Sequence, residues 1–172
     1  NNSSGTTSIQ YEVTRDKVLA LDCILSDGSQ VSFSSISKKT FIEKTKLDSL
    51  EGSIYKELHS VLHNKEVQQE IRKQFPKPEI HRRNTGYALD ELIDTTVFGG
   101  NYAFNMCTLL SGSEGTLAFT TAITLQLDNL PPEKTAMLVT HYDSLEKGLL
   151  DVVHAMKHEL YCCELMDDII LE

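Results

Sequence analysis

Residues 116–127 constrain the fold more than any other stretch. Leu117, Phe119, Thr121, Ile123, Leu125 and Leu127 fill the odd positions, and Ala118, Thr120, Ala122, Thr124 and Gln126 the even ones. Successive side chains of a strand point to opposite faces, so the alternation predicts a long strand with its odd residues on one face. Residues 17–25 are nearly continuously apolar, as a strand buried on both faces would be. Asp27-Gly28 then supplies a hairpin turn, because glycine takes a positive φ without a Cβ clash, and Val31 and Phe33 begin the return strand.

Residues 34–50 are polar and lack periodicity, which reads as loop with a turn of helix. Ile54, Leu58, Val61 and Leu62 recur at helical spacing, as do Val67, Ile71 and Phe75. Asn64 is placed to cap the second set, and Pro76 and Pro78 to end it, so two consecutive helices are predicted over 53–75. Residues 88–94 read as a short helix and 95–108 as a surface insertion. Pro131-Pro132 marks a domain boundary, giving domains 1–130 and 131–172. Beyond it, residues 135–141 read as a strand. Asp143-Ser144-Leu145-Glu146 reads as a helix start with a capping-box pattern, and Leu145, Leu149, Val152, Val153 and Met156 as a buried stripe. Residues 161–166 read as a second strand. The expected class is α+β, a mostly antiparallel sheet flanked by helices and followed by strand–helix–strand. That last unit would expose a sheet face and an edge unless more chain followed. Asn1-Asn2-Ser3-Ser4-Gly5 is neither a start methionine nor a signal peptide, and Ile169-Ile170-Leu171-Glu172 is an apolar run with no turn signal, so both ends read as cuts through a longer chain.

The net charge of −9 and the lack of any basic cluster longer than Arg82-Arg83 argue against nucleic acid and anionic membranes as partners. The longest apolar run falls far short of the roughly 20 residues a membrane-spanning helix needs. Cys23, Cys107, Cys162 and Cys163 form no C-x-x-C pair, so no zinc or iron–sulfur site is expected within this chain. They read as reduced, mostly buried thiols of a cytoplasmic protein. His59/His63 and His154/His158 have the i, i+4 spacing that can hold a metal. No Glu follows the first His of either pair, and both read as solvated or partly buried histidines, with no metal site.

Three polar stretches are candidates for chemistry. Gly112-Ser113-Glu114-Gly115-Thr116 precedes the long strand, and free N–H groups in such a turn can form an anion-binding concavity, although most Gly-rich turns bind nothing. No Gly-Lys-Ser/Thr follows, so it is not a nucleotide-triphosphate loop. Arg82-Arg83-Asn84-Thr85-Gly86-Tyr87 offers a planar donor fork, a hydroxyl and an aromatic face, and reads equally as a solvated turn. The N-terminal Asn1-Asn2-Ser3-Ser4-Gly5-Thr6-Thr7 is dense in small polar groups and by itself matches a disordered terminus.

In this order these segments resemble the FAD-linked oxidases of the glycolate oxidase / D-lactate dehydrogenase family, which has the vanillyl-alcohol oxidase-type flavin fold. Asn1-Asn2-Ser3-Ser4-Gly5 resembles the end of the family's glycine-rich flavin loop. Tyr11-x-x-Thr14-Arg15-Asp16-x-Val18-Leu19, then a strand and Asp27-Gly28, resembles its YG-x-TRD-x-VL signature. Asn84-Thr85-Gly86-Tyr87-Ala88-Leu89 and Gly112-Ser113-Glu114-Gly115-Thr116-Leu117 resemble its N/S-T/A-GY-D-L and GSEGTL motifs. Pro131-Pro132 and the phrase Glu164-Leu165-Met166-Asp167 resemble the opening of its ferredoxin-like cap. The resemblance implies the second subdomain of a PCMH-type FAD-binding domain followed by the first strand–helix–strand of that cap.

It further implies an oxidoreductase that takes a 2-hydroxy acid of glycolate, D-lactate or D-2-hydroxyglutarate type to the 2-keto acid, with hydride passing to flavin N5 and electrons leaving to an acceptor other than NAD. Asn1, Ser3, Ser4 and Gly5 would border the flavin on one side, and Gly112, Ser113, Glu114, Gly115 and Thr116 on the other, with Ile123 near the adenine end. Arg82 and Thr85 would hold the substrate carboxylate. The family's catalytic histidine segment and its first phosphate loop have no counterpart in this sequence, so no catalytic residue is assigned and the isolated chain is expected to be inactive. The long stretch between Tyr87 and Gly112 resembles large members fused to an iron–sulfur part, which places such a cluster elsewhere in the parent protein. A cytoplasmic protein, peripheral to the membrane through its electron acceptor, is implied. Glu12 stands where the family has glycine, so a positive-φ turn there would be strained. Two other readings stay open: a non-enzymatic α+β binding module, and the same flavin fold acting on an alcohol or amine.

Overall fold

The computed structural model describes residues 2–77, 79–80, 83–84 and 86–171, with backbone alone at Leu171. The chain divides into two compact units, one made of Asn1–Ser3 and Val13–Gln126, the other of Ser4–Glu12 and Leu127–Glu172. The strands are β1 (Val18–Ile24), β2 (Gln30–Ile36), β3 (Phe104–Asn105) and β4 (Phe119–Leu125). The helices are α1 (Ser8–Tyr11), α2 (Thr14–Lys17), α3 (Lys38–Lys44), α4 (Leu50–Leu62), α5 (Lys65–Gln74), α6 (Leu89–Ile93), α7 (Cys107–Leu110), α8 (Leu145–Ala155) and α9 (Asp168–Leu171). The class is α+β.

All four strands lie in the first unit, in one antiparallel sheet of order β3-β2-β1-β4. The β1–β2 hairpin turns where expected, at Asp27-Gly28. Gly28 has φ +83°, and the Leu25 N–H donates to the Ser29 carbonyl at 2.9 Å. β1 is buried on one face only. Leu21 and Cys23 are buried, while Asp22 points to solvent and accepts from the Ser32 hydroxyl on β2 at 2.5 Å.

Two β-bulges break the expected alternation of β4. Val18 pairs with Leu125 but Ala20 with Thr124, which leaves Leu19 as an extra residue on β1. Asp22 pairs with Ala122 but Cys23 with Thr120, which leaves Thr121 extra on β4. Directly opposed residues share a face. Ile123 and Leu125 therefore share the face of buried Leu21 and Val18, whereas Phe119 stands opposite Ile24 on the other face. An inserted residue shifts every side chain beyond it to the opposite side, which periodicity along one strand cannot reveal.

The core lies on the inner face of the sheet. Phe41 of α3 is fully buried, with the rings of Phe104 and Tyr55 at 4.7 and 5.1 Å in edge-to-face contact. Such pairs add to the area they bury because ring edges and faces carry opposite partial charge. Two sequence expectations are revised here. Residues 34–50 hold more than the expected loop with a turn of helix: β2 runs to Ile36, the Ser37 hydroxyl caps the seven-residue α3 by accepting from the Thr40 N–H, and Phe41 anchors it. α3 buries one residue, too few to show a period. Residues 95–108 are not a surface insertion, because Val97, Phe98, Phe104, Met106 and Cys107 are all buried. The Gly and Asn punctuation that suggested a loop is a tight turn, with the Gly100 N–H on the Thr95 carbonyl at 2.9 Å. A Cβ on Gly100 would fall 1.9 Å from the Asp94 carbonyl oxygen, so only glycine closes it. The two predicted helices are present as α4 and α5. Asn64 caps α5 by accepting from the Glu66 N–H at 2.8 Å, and Phe75 is extended as a residue before proline should be.

The second unit departs most from expectation. Residues 135–141 and 161–166 are irregular, and α8 is the longest helix of this unit. A strand is stable only against a partner ladder. Among the described residues these segments make none, and Met137, Leu138 and Val139 stand exposed. The α8 cap is Ser144, which accepts from the Lys147 N–H at 3.3 Å. With lysine at that position no reciprocal box forms. The stripe expected to be buried is largely exposed, at Leu145, Leu149, Val153 and Met156, and α8 buries Gly148 beneath the Tyr142 ring. Glu12 has φ +63° and ψ −153°, the strained turn expected from the sequence and a region populated essentially by glycine.

No helix among the described residues is long and apolar enough to cross a membrane. Cys23 and Cys107 are buried, but Cys162 and Cys163 are exposed, against the expectation of mostly buried thiols. Burial pushes the Cys107 thiol up to about 11. At about pH 8, iodoacetamide should alkylate Cys162 and Cys163 of the folded chain and spare Cys23 and Cys107 until denaturant is added, as read by peptide mass spectrometry. Glu12→Gly should raise the stability measured in urea by about 1 kcal/mol, the relief of backbone strain exceeding the added freedom of the unfolded chain.

Candidate functional site

The three polar stretches singled out from the sequence meet, in part, at one buried cation in the first unit. Arg15, in the single turn α2, is 5% exposed. The turn is started by Asp16, whose carboxylate accepts from the Val13 N–H at 3.0 Å. The Arg15 Nη2 group donates to the Gly86 carbonyl at 2.7 Å and to the Ser111 carbonyl at 2.8 Å, and Nε donates to the Thr108 carbonyl at 3.0 Å. The Arg15 N–H donates to Asn2 Oδ1 at 2.7 Å, and Asn2 Nδ2 donates to the Arg83 carbonyl at 3.2 Å. Residues distant along the chain are thus tied through one guanidinium and one amide side chain.

Charge balance comes from the first turn of α6. Glu91 Oε1 lies 3.7 Å from Arg15 Nη1 and 3.1 Å from Arg83 Nη2, and Arg83 also pairs with Asp90. Burial pushes the Glu91 carboxyl up, against the pull of Arg15 and Arg83. Burial likewise lowers Arg15, opposed by Glu91 and Asp90. Each group is costly to bury alone, and each offsets the other's cost. The acidic pair also sits where the N-terminal end of a helix favours negative charge.

The 112–116 turn rests on this cation. Gly112 has φ +96°, and a Cβ there would meet Arg15 Nη2 at 2.9 Å and the Gly86 carbonyl at 3.0 Å. Both the backbone and the packing therefore demand glycine. Ser113 is buried, and its N–H donates to the Leu110 carbonyl at 3.0 Å. Glu114 and Gly115 follow with φ +53° and +77°, exposed, and their N–H groups make no backbone hydrogen bond to a described residue. Successive N–H groups in a turn of this kind can form an anion-binding concavity. Thr116 closes the turn by donating to the Ser113 carbonyl through N–H (3.1 Å) and hydroxyl (2.6 Å), and its Oγ1 lies 2.7 Å from the Tyr87 hydroxyl.

The remaining residues expected at the site are distributed as follows. Asn1, Arg82 and Thr85 lie outside the described residues. The Ser3 carbonyl accepts from the Thr14 N–H at 3.3 Å, beside Arg15. Ser4 and Gly5 belong to the second unit, where the Gly5 carbonyl accepts from the Ser8 N–H. Ile123 lies on β4, opposite Leu21, and is exposed. His59 and His63 stack at 5.1 Å, and among the described residues no group of three or more His, Cys, Asp or Glu could hold a metal ion.

No family model and no solved structure matches the chain. It is 31% identical over 172 residues to the D-2-hydroxyglutarate dehydrogenase of Haemophilus influenzae, a match covering 98% of this chain and 16% of that protein. It is 30% identical over 171 residues to the enzyme of that name from Pseudomonas putida and 27% over 169 residues to that of Escherichia coli, with the same coverage. Nearly the whole chain is thus similar to one segment of each of these D-2-hydroxyglutarate dehydrogenases. It spans 16% of the length of these curated relatives.

Within the family-like phrase Thr14-Arg15-Asp16, the sequence reading gave Arg15 no role, nor did it single out Asn2, Asp90 or Glu91. The available signal was weak: a lone arginine just before an apolar strand, in a chain of net charge −9, must be either solvated or heavily partnered. Arg15→Met should destabilise the chain by about 3 kcal/mol in urea, because the carbonyls of Gly86, Ser111 and Thr108 lose their donor together. Arg15→Lys should recover little of this, since an ammonium lacks the planar fork that reaches all three.

Proposed function

We propose that this chain is part of an FAD-dependent dehydrogenase that oxidises a D-2-hydroxy acid, of the D-2-hydroxyglutarate type, to the 2-keto acid. It would supply the second subdomain of a PCMH-type flavin domain and the start of a ferredoxin-like cap. One observation carries the reading: Asn2, Gly86 and Gly112, from three separate family-like motifs, converge on Arg15. In a non-enzymatic module that merely shared glycine-rich turns, those motifs would have no reason to meet. The matched relatives all bear the name D-2-hydroxyglutarate dehydrogenase, which favours a hydroxy acid over an alcohol or amine.

The residues suit the cofactor. The N–H groups of Glu114 and Gly115, in an exposed turn, would be donors for an anionic or carbonyl-bearing ligand, and glycine at 112 lets the backbone approach closely. Gly112, Ser113, Glu114, Gly115 and Thr116 would hold the flavin on one side, with Asn1 and Ser3 on the other and Ile123 toward the adenine. When bound, the flavin would supply a two-electron acceptor. Arg82 and Thr85 would bind the substrate carboxylate, a task for which a planar guanidinium is well shaped. Arg15 has a different task. With its donors turned to backbone carbonyls, it fixes the wall and does not touch substrate. The electron acceptor would be other than NAD, and the protein cytoplasmic.

The full-length protein should purify with flavin absorbance. It should reduce an artificial electron acceptor with D-2-hydroxyglutarate at a kcat/KM at least about tenfold above that for D-lactate or glycolate. A full-length protein without flavin would sink the reading. The isolated chain should show no saturable FAD binding below about 1 µM in a fluorescence titration, because a partial binding surface cannot offset the entropy of association.

A further inference from the structure

The hydroxyls of Tyr87 and Thr116 have a fixed direction. Thr116 Oγ1 lies 2.6 Å from the Ser113 carbonyl oxygen and 2.7 Å from the Tyr87 hydroxyl. A carbonyl can only accept, and a threonine hydroxyl has a single proton. The Thr116 proton therefore goes to Ser113, and the Tyr87 O–H must donate to Thr116. The result is a one-way relay from Tyr87 through Thr116 to the Ser113 carbonyl, which also receives the Thr116 N–H at 3.1 Å. It spans the two exposed, positive-φ residues Glu114 and Gly115.

We propose that Tyr87 is a positioning residue for whatever ligand the 112–116 turn binds, acting by pinning Thr116. The turn and the 86–87 segment are then joined at two points, at Arg15 through the Gly86 and Ser111 carbonyls and at the Tyr87–Thr116 hydroxyl pair. The first point is buried and holds the fold. The second is at the surface, where Tyr87 is 45% exposed, so its bond adds little to global stability. Its effect falls on the turn. A turn already fixed at both ends loses less freedom when a ligand docks on its backbone N–H groups. Glu114 makes that restraint matter, because a non-glycine residue at positive φ relaxes readily once released.

The inference rests on the flavin reading above, and the test uses the full-length protein with FAD as the probe. FAD dissociation constants are measured on apoprotein of the wild type, Tyr87→Phe, Thr116→Val, Thr116→Ser and the Tyr87→Phe/Thr116→Val double variant. Thermal unfolding of each apoprotein is followed in parallel. Tyr87→Phe and Thr116→Val should each weaken FAD binding by about 3- to 10-fold, the size of one hydrogen bond. The double variant should be no weaker than Thr116→Val alone, because the two act through one bond. Thr116→Ser should stay within about twofold of wild type, and Tyr87→Phe should leave the unfolding midpoint unchanged. Wild-type affinity in Tyr87→Phe, multiplying effects in the double variant, or failure of Thr116→Ser to preserve binding would each overturn the relay alone. A wild-type protein that binds no FAD would overturn the flavin reading and the relay together.

Discussion

A guanidinium carries five N–H donors and no acceptor, and once buried it must find an oxygen for each. Arg15 directs three of these donations to the carbonyls of Gly86, Ser111 and Thr108, and Glu91 balances its charge. The rest of the first unit's polar face follows from this. The 112–116 turn can sit where it does only because Arg15 neutralises the carbonyls beneath it. Gly112 must be glycine because Arg15 Nη2 and the Gly86 carbonyl fill the space a Cβ would need. The first turn of α6 carries Asp90 and Glu91, which supply the counter-charges that Arg15 and Arg83 need there. A buried ion pair of this kind contributes more to placing its surroundings than to net stability, since desolvation consumes most of the Coulomb attraction.

The hydrophobic side of the unit is organised independently. Phe41, Tyr55, Phe98 and Phe104 stack edge to face under the sheet, drawn from α3, α4, the 95–102 turn and β3. This cluster explains why a stretch rich in turn residues, 95–108, is internal: its glycines permit sharp reversals that deliver Val97, Phe98 and Phe104 to the core. The sheet's other edge is different in kind. β4 is exposed along its whole length and among the described residues pairs with β1 alone, through a ladder interrupted by one extra residue on each strand. Ile123 and Leu125 turn toward the core face without being covered there.

Much of this was readable in advance, where a local rule sufficed. The Asp27-Gly28 hairpin, the Asn64 cap, the break at Pro76 and the strained Glu12 each depend on a few neighbouring residues, and each is found. The motifs at 84–88 and 112–117 were legible as phrases, but not the cation that joins them. Arg15 is separated from Gly86 and Ser111 by the whole hairpin and helical region, and no periodicity links an arginine to a distant carbonyl. The second unit was misread for the converse reason. Residues 135–141 and 161–166 have strand-like composition, but composition sets only a preference, and a strand exists only when another backbone supplies its hydrogen bonds.

By itself, then, the sequence determined the turns, the caps and the motifs, because turn chemistry, capping and motif spelling are written in consecutive residues. Only the tertiary structure decided which motifs meet, which face each strand residue takes after a bulge, and that Arg15 gathers the polar face. Those outcomes depend on satisfying buried donors and filling space across long chain separations, and such constraints act between residues that no local pattern connects.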